Sequence, residues 1–148
     1  MKIRGYFDLL GRARVKVHVV CQKPQASGDV RFLVDTGASR TVLSEGDVAE
    51  LKVNYDALQK LPQGLLGFGG RVDTYVIDDA ELLFESDEGV YSEHLRPLFV
   101  VKHEIADERL RERMKRLPSV LGCDILDKFA LIRDRRKELV LITDEEVA

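Results

Sequence analysis

A mainly β domain is what this sequence predicts, and three stretches predict it. Arg14-Val15-Lys16-Val17-His18-Val19 alternates polar and apolar residues strictly, the period of a half-buried antiparallel strand. Arg31-Phe32-Leu33-Val34 is an apolar run that reads as a second strand. The small residues Asp35-Thr36-Gly37-Ala38-Ser39 then force a tight turn before a short strand at Thr41-Val42-Leu43. Leu131-Ile132 and Leu139 to Ile142 flank the charged segment Arg133-Asp134-Arg135-Arg136-Lys137, which reads as the polar turn of a closing hairpin.

The chain has 148 residues, enough for one domain with a real core and too few for two lobes, so residues 1–148 are expected to form a single domain. A hydrophobic fraction of 45% with 33% charged residues belongs to a globular chain, not a disordered one. A net charge of −3 supplies no concentrated positive face, so no nucleic-acid partner is expected. No basic segment followed by a long apolar one opens the chain and no stretch approaches a membrane span, which predicts a cytoplasmic protein without membrane association. Cys21 and Cys123 are then expected to be free thiols. His18, His94 and His103 fall at no metal-site spacing, and neither metal nor cofactor is expected.

The remaining elements follow in order. Pro24 to Asp29 reads as a turn-rich link that closes the first hairpin. Ser44, with Asp47 three residues on, reads as the capped start of a short helix through about Leu51. Leu61-Pro62-Gln63-Gly64-Leu65-Leu66 leads into Gly67-Phe68-Gly69-Gly70. No Gly-Lys-Ser/Thr follows, no G-x-G-x-x-G is complete, and the next segment, Val72 to Ile77, is a strand pattern, which excludes a phosphate loop. A plain glycine hairpin and a mobile flap both fit. Ala80 to Phe84 and Leu95 to Val101 read as strands joined by a polar loop at Ser86 to Gly89. Glu104 to Leu117 reads as an amphipathic helix with Ala106, Leu110, Met114 and Leu117 on one face and Pro118 ending it. Its other face is charged, with Asp107/Arg111 and Glu112/Arg116 at i,i+4 spacing.

The segment from Phe32 to Ser44, Phe-Leu-Val-Asp-Thr-Gly-Ala-Ser-Arg-Thr-Val-Leu-Ser, is similar throughout to the active-site segment of retroviral-type, retropepsin-like aspartic proteases. Gly67-Phe68-Gly69-Gly70 resembles the tip of that family's flap. Val120-Leu121-Gly122-Cys123-Asp124-Ile125-Leu126 resembles its second signature, two apolar residues and a glycine opening a short helix to Phe129. The resemblance implies a single-lobe acid-protease fold with a flap hairpin and, near 104–117, a helix longer than the minimal family pattern carries. Gly122 should let the second signature pass close to the Asp35 loop. Asp124 then either accepts a hydrogen bond from Thr41 or nearby amides, or caps its own helix. Cys123 and Ser39 stand where retroviral members often carry Arg and Asp, so a neutral contact is expected in place of that ion pair.

What the resemblance implies about function is specific. Asp35 is the expected catalytic carboxylate, with Thr36, Gly37 and Ala38 as its support, Gly67, Phe68, Gly69 and Gly70 as the substrate-closing flap, and Leu121, Gly122 and Asp124 as structure near the site. Aspartic proteolysis needs two carboxylates that share a proton. No second Asp-Thr-Gly exists in the chain, which implies a homodimer with Asp35 and Asp35′ facing across a two-fold axis and a polypeptide as substrate. Two other readings remain open: a catalytically silent peptide-binding or dimerisation module of the same fold, and a structural β domain in which Asp35 is only a turn residue.

Overall fold

The computed structural model describes residues 1–62, 72–103 and 107–147. In chain order the strands are β1 (Lys2–Arg4), β2 (Tyr6–Phe7), β3 (Ala13–Gln22), β4 (Gln25–Val34), β5 (Val42–Leu43), β6 (Gln59–Lys60), β7 (Val72–Ile77), β8 (Ala80–Ser86), β9 (Gly89–Leu95), β10 (Leu98–His103), β11 (Val120–Leu121), β12 (Ala130–Asp134) and β13 (Leu139–Thr143). Among the described residues three short helices, α1 (Glu45–Glu50), α2 (Glu108–Met114) and α3 (Cys123–Leu126), interrupt them, with one 3-10 turn at Tyr55–Ala57. Among the described residues no helix is long and apolar enough to cross a membrane.

The strands form a three-stranded sheet, β1-β13-β12, and a larger one in the order β6-β7-β10-β5-β11-β4-β3-β8-β9, with β2 on β3. Alternation in β3 is complete: Ala13, Val15, Val17, Val19 and Cys21 are buried while Lys16, His18 and Gln22 face solvent. Val15, Val17, Val19 and Cys21 pack with Phe32, Leu43, Leu82, Phe84, Leu98, Leu121 and Ile125 into the main core. Val42, Val72, Val101 and Val120 form a second, smaller cluster beside the site.

Several elements depart from the sequence reading. Residues 24–29 are not a link, because β4 begins at Gln25 and pairs with β3 in unbroken register from Gln22↔Gln25 to Arg14↔Leu33. Its small inward residues misled the pattern, and packing explains them: a Cβ on Gly28 would lie 2.7 Å from Leu51 Cδ2. Ser86 to Gly89 is the turn of a hairpin, not a loop between distant strands. Its second arm, β9, is an edge strand whose inward positions include Glu93 and whose exposed ones include Val90, and so lacks an apolar alternation to read. The expected strand at 95–101 is divided by a turn at Arg96-Pro97, where proline has no N–H for a ladder.

The helix expected over 104–117 is shorter, and residues 104–106, including Ala106, lie outside the described residues. Asp107 caps α2 by accepting the Arg109 N–H at 2.9 Å, and no residue of the helix is buried; Leu110 is 43% exposed. The apolar stripe is therefore not core. Nor do the expected i,i+4 pairs form: Arg111 reaches Glu45 at 3.9 Å and Glu112 pairs with Lys115 at 3.4 Å. Glu45 is itself buried and accepts the backbone N–H of His103, which ties α1 to the end of β10. Ser44 does stand at the N-cap of α1, but its side chain makes no cap hydrogen bond and turns to Asp47 at 3.3 Å.

Candidate active site

β4 and β5 are consecutive in sequence yet not neighbours in the sheet, because β11 lies between them, parallel to β4 (Leu121↔Val34) and antiparallel to β5 (Val120↔Val42). The connection, residues 35–41, must therefore arch over the end of β11. That crossing is where Gly122 stands: a Cβ there would lie 2.5 Å from both the carbonyl carbon and oxygen of Arg40 and 2.9 Å from the Ala38 oxygen. Three backbone bonds stitch the arch to the strand beneath, Asp35 N to Leu121 O at 3.1 Å, Cys123 N to Ala38 O at 2.8 Å and Asp124 N to Ser39 O at 3.2 Å.

At the top of the arch Asp35 is half-buried while Thr36, Gly37, Ser39 and Arg40 are exposed. Asp35 Oδ1 accepts the Gly37 N–H at 2.9 Å, and the Ala38 N–H donates to the Asp35 carbonyl at 3.2 Å, so the turn fixes the carboxylate with its own amides. A Cβ on Gly37 would stand 3.2 Å from Oδ1, close enough to crowd it.

Of the two readings of Asp124, the Thr41 contact is the one found. Asp124 accepts Thr41 N–H at 2.9 Å through one oxygen and Thr41 Oγ1–H at 2.6 Å through the other, while Gly122 holds the N-cap of α3 without a side-chain bond. Thr41, fully buried, also accepts the Gly122 N–H on Oγ1 at 3.1 Å. Cys123 donates its thiol to the Thr36 carbonyl at 3.4 Å, a neutral contact on the arch. Burial, and then the carboxylates of Asp127, Asp124 and Asp35, push that thiol above its ordinary range.

Replacing Thr41 by Val would keep its shape but leave the Gly122 N–H and one Asp124 oxygen without their partner. A loss of about 2–3 kcal/mol is expected, measured by urea denaturation, with Thr41→Ser retaining most of the stability. Equal midpoints for Thr41→Val and wild type would contradict this.

A second polar tie lies at the other end of β11, with no motif in the sequence to mark it. Ser119, fully buried, accepts the Ser44 N–H at 2.9 Å and donates to Asp47 Oδ2 at 2.5 Å, while its carbonyl accepts the Leu33 N–H at 2.8 Å. A hydroxyl just before an apolar-apolar-glycine strand was its only signal in the sequence. Gly67, Phe68, Gly69 and Gly70, expected as the flap, lie outside the described residues.

Residues 25–82 match the aspartyl protease family. Among solved structures, a retropepsin-like aspartic protease from Rickettsia conorii aligns with a TM-score of 0.54 and 17% identity, covering 96% of this chain and 89% of that one. The EIAV protease complexed with the inhibitor HBY-793 aligns with a TM-score of 0.45 and 20% identity, over 82% of this chain and 90% of that one. No curated protein matches the chain significantly. The matched residues 25–82 contain the Asp35 arch, and the chain shares the fold of the Rickettsia retropepsin-like structure along nearly its full length.

Proposed function

We propose that this single-domain chain is an aspartic endopeptidase that hydrolyses peptide bonds with an Asp35/Asp35′ dyad formed across a homodimer. The observation that carries it is the arch itself: one Asp-Thr-Gly per chain, held from below by Gly122 and Asp124 and presented on an exposed surface. Asp124 cannot be the second acid of the same chain without abandoning its two bonds to Thr41. In the dyad one carboxylate takes a proton from water as the water oxygen attacks the scissile carbonyl carbon, and the other gives its proton to the carbonyl oxygen. Collapse of the tetrahedral diol then returns a proton to the amide nitrogen as the C–N bond breaks. Thr36, Gly37 and Ala38 keep the two arches in register, and Leu121 and Gly122 keep each arch in place. The unpaired thiols of Cys21 and Cys123 favour a reducing, cytoplasmic setting.

Gly67, Phe68, Gly69 and Gly70 serve in this reading as a flap whose backbone amides pair with an extended polypeptide. Gly69→Val or Gly70→Val is expected to raise KM or lower kcat about tenfold with little change in melting temperature, because β-branching stiffens a tip that must open. Unchanged kinetics in both variants would leave the segment an ordinary turn. The silent-module reading is tested by incubating the purified chain with a diverse peptide library at several acidic pH values; no cleavage by a demonstrably dimeric chain would favour it.

A further inference from the structure

A polar cavity of about 430 Å³ opens between the face of β3 and β4 that carries Arg14 and Arg31, the helix α1, and the segment from Lys115 to Pro118 that leads into β11. Its charges are unevenly paired. Arg14 binds Asp8 Oδ2 at 2.7 Å and the Arg31 carbonyl at 3.0 Å, Lys115 pairs with Glu112 at 3.4 Å, and Asp29 pairs with His18 at 2.9 Å. Asp47 accepts the hydroxyls of Ser119 and Ser44. That leaves Arg31, Arg116 and Glu50 on the cavity wall, and among the described residues none of the three stands in an ion pair. Arg31 reaches Asp29 only as the weakest of the charges that lower that carboxyl. Two guanidiniums thus face one recess with a single carboxylate to offset them. A guanidinium presents its donors as a planar fork that fits a carboxylate through two parallel hydrogen bonds. Two forks around one recess therefore select an acid over an amide of the same shape.

The walls of the recess are already set. Asp47 is held by Ser119 at 2.5 Å, and Gly46 passes so close beneath Lys115 that a Cβ would lie 2.1 Å from its carbonyl oxygen. A preformed recess loses little entropy when it is filled. Position then ties the cavity to the reaction. Side chains alternate along a strand, so Asp29, Arg31 and Leu33 share one face of β4, and the next step on that face is Asp35. At roughly 3.3 Å per residue, Arg31 stands about 13 Å from Asp35. Between them the face is apolar, with Leu33 packed on the cluster of Val42, Val72, Val101 and Val120. From the other side, Lys115 to Pro118 runs into Ser119 and β11, whose Leu121 carbonyl accepts the Asp35 N–H at 3.1 Å.

We propose that this cavity is a distal recognition site for the substrate, holding a glutamate or aspartate side chain between Arg31 and Arg116 about four residues from the scissile bond. The proposal rests on the endopeptidase reading above and narrows its substrate class to polypeptides with an acidic residue at that distance.

The probe is a peptide from the library, chosen for binding to Asp35→Asn chains so that the choice does not depend on turnover, and remade with a single Glu or a single Gln at each flanking position in turn. Wild type should prefer Glu to Gln by about five- to tenfold in kcat/KM near the fourth residue on one side of the cleaved bond. That preference should vanish in Arg31→Gln/Arg116→Gln, survive in part in Arg31→Lys/Arg116→Lys, and keep its wild-type size in Arg136→Gln, which removes a charge from the β12–β13 turn instead. Arg31 and Arg116 are both exposed, so the variants should melt like wild type. Fluorescence anisotropy of the labelled Glu and Gln peptides on Asp35→Asn chains, with and without the two Arg→Gln changes, reads the same contact without catalysis. Equal binding and equal rates for Glu and Gln at every position overturn the proposal, as does a library from which no peptide binds. So does a Glu preference that persists in Arg31→Gln/Arg116→Gln, which would set the acid elsewhere. Glu-selective binding that the double change abolishes, with no cleavage by dimeric wild type, supports the cavity and overturns the endopeptidase reading alone.

Discussion

Asp35→Asn is expected to fold as wild type does and to lose proteolysis by about 10³-fold or more. An asparagine oxygen can still accept the Gly37 N–H that now reaches Oδ1 at 2.9 Å, and the Asp35 backbone bond to Leu121 is untouched. The side chain is only half-buried, so no deep cavity or stranded charge results. What disappears is the negative charge that takes a proton from water. Thermal melting of the two proteins should coincide while their rates on a common peptide do not. In wild type, activity should be greatest below neutral pH and fall as the facing pair loses its single shared proton. A flat profile from about pH 4 to pH 9, a span that brackets perturbed carboxylates, would count against a dyad. Mixing wild type with a roughly tenfold excess of Asp35→Asn chains under subunit exchange should also lower activity per wild-type chain about tenfold, since nearly every wild-type chain then sits in a mixed dimer. Activity proportional to wild-type chain alone would show that one subunit suffices.

The site was legible because its constraints are local in type even where they are distant in sequence. Asp35-Thr36-Gly37 at a strand end and Val120-Leu121-Gly122 before a short helix each require particular residues for steric reasons, and the sheet order brings the two together. For Asp124 the sequence left a bond from Thr41 and a cap on its own helix equally open, and only the crossing of the two segments, which sets the Thr41 hydroxyl against the carboxylate, decides between them. Ser119 escaped notice since a serine before a strand is unremarkable until the fold places Ser44 and Asp47 beside it. The misread elements share a cause: β4 begins with residues whose smallness reflects packing on Leu51, and β9 is a solvated edge, so neither carries the apolar period from which strands are read. In α2 the period was present, yet the helix rests on the surface through Arg111, which reaches Glu45, and the close passage of Lys115 over Gly46, where a Cβ would meet the Lys115 oxygen at 2.1 Å.

Gly122→Ala should cost about 3 kcal/mol or more of stability, at or beyond the upper end for an overpacked interior. The added methyl would have to share space with the Arg40 carbonyl at 2.5 Å and the Ala38 oxygen at 2.9 Å, which are backbone atoms with no rotamer to yield. Relief requires lifting the arch, and lifting it stretches the bonds from Cys123 N to Ala38 O and from Thr41 to Asp124, the same bonds that fix Asp35. Stability and activity should therefore fall together, and a variant rescued by low temperature or osmolyte should remain impaired in kcat. Gly89→Ala separates crowding from the general effect of removing a glycine. Gly89 has φ 106° with nothing within 4 Å of the added Cβ, so that variant bears conformational strain of about 1 kcal/mol without any collision. Chemical denaturation of the two side by side decides the matter. Equal losses would mean that the arch does not press on β11 at Gly122, and the crossing on which the candidate site is built would have to be redrawn.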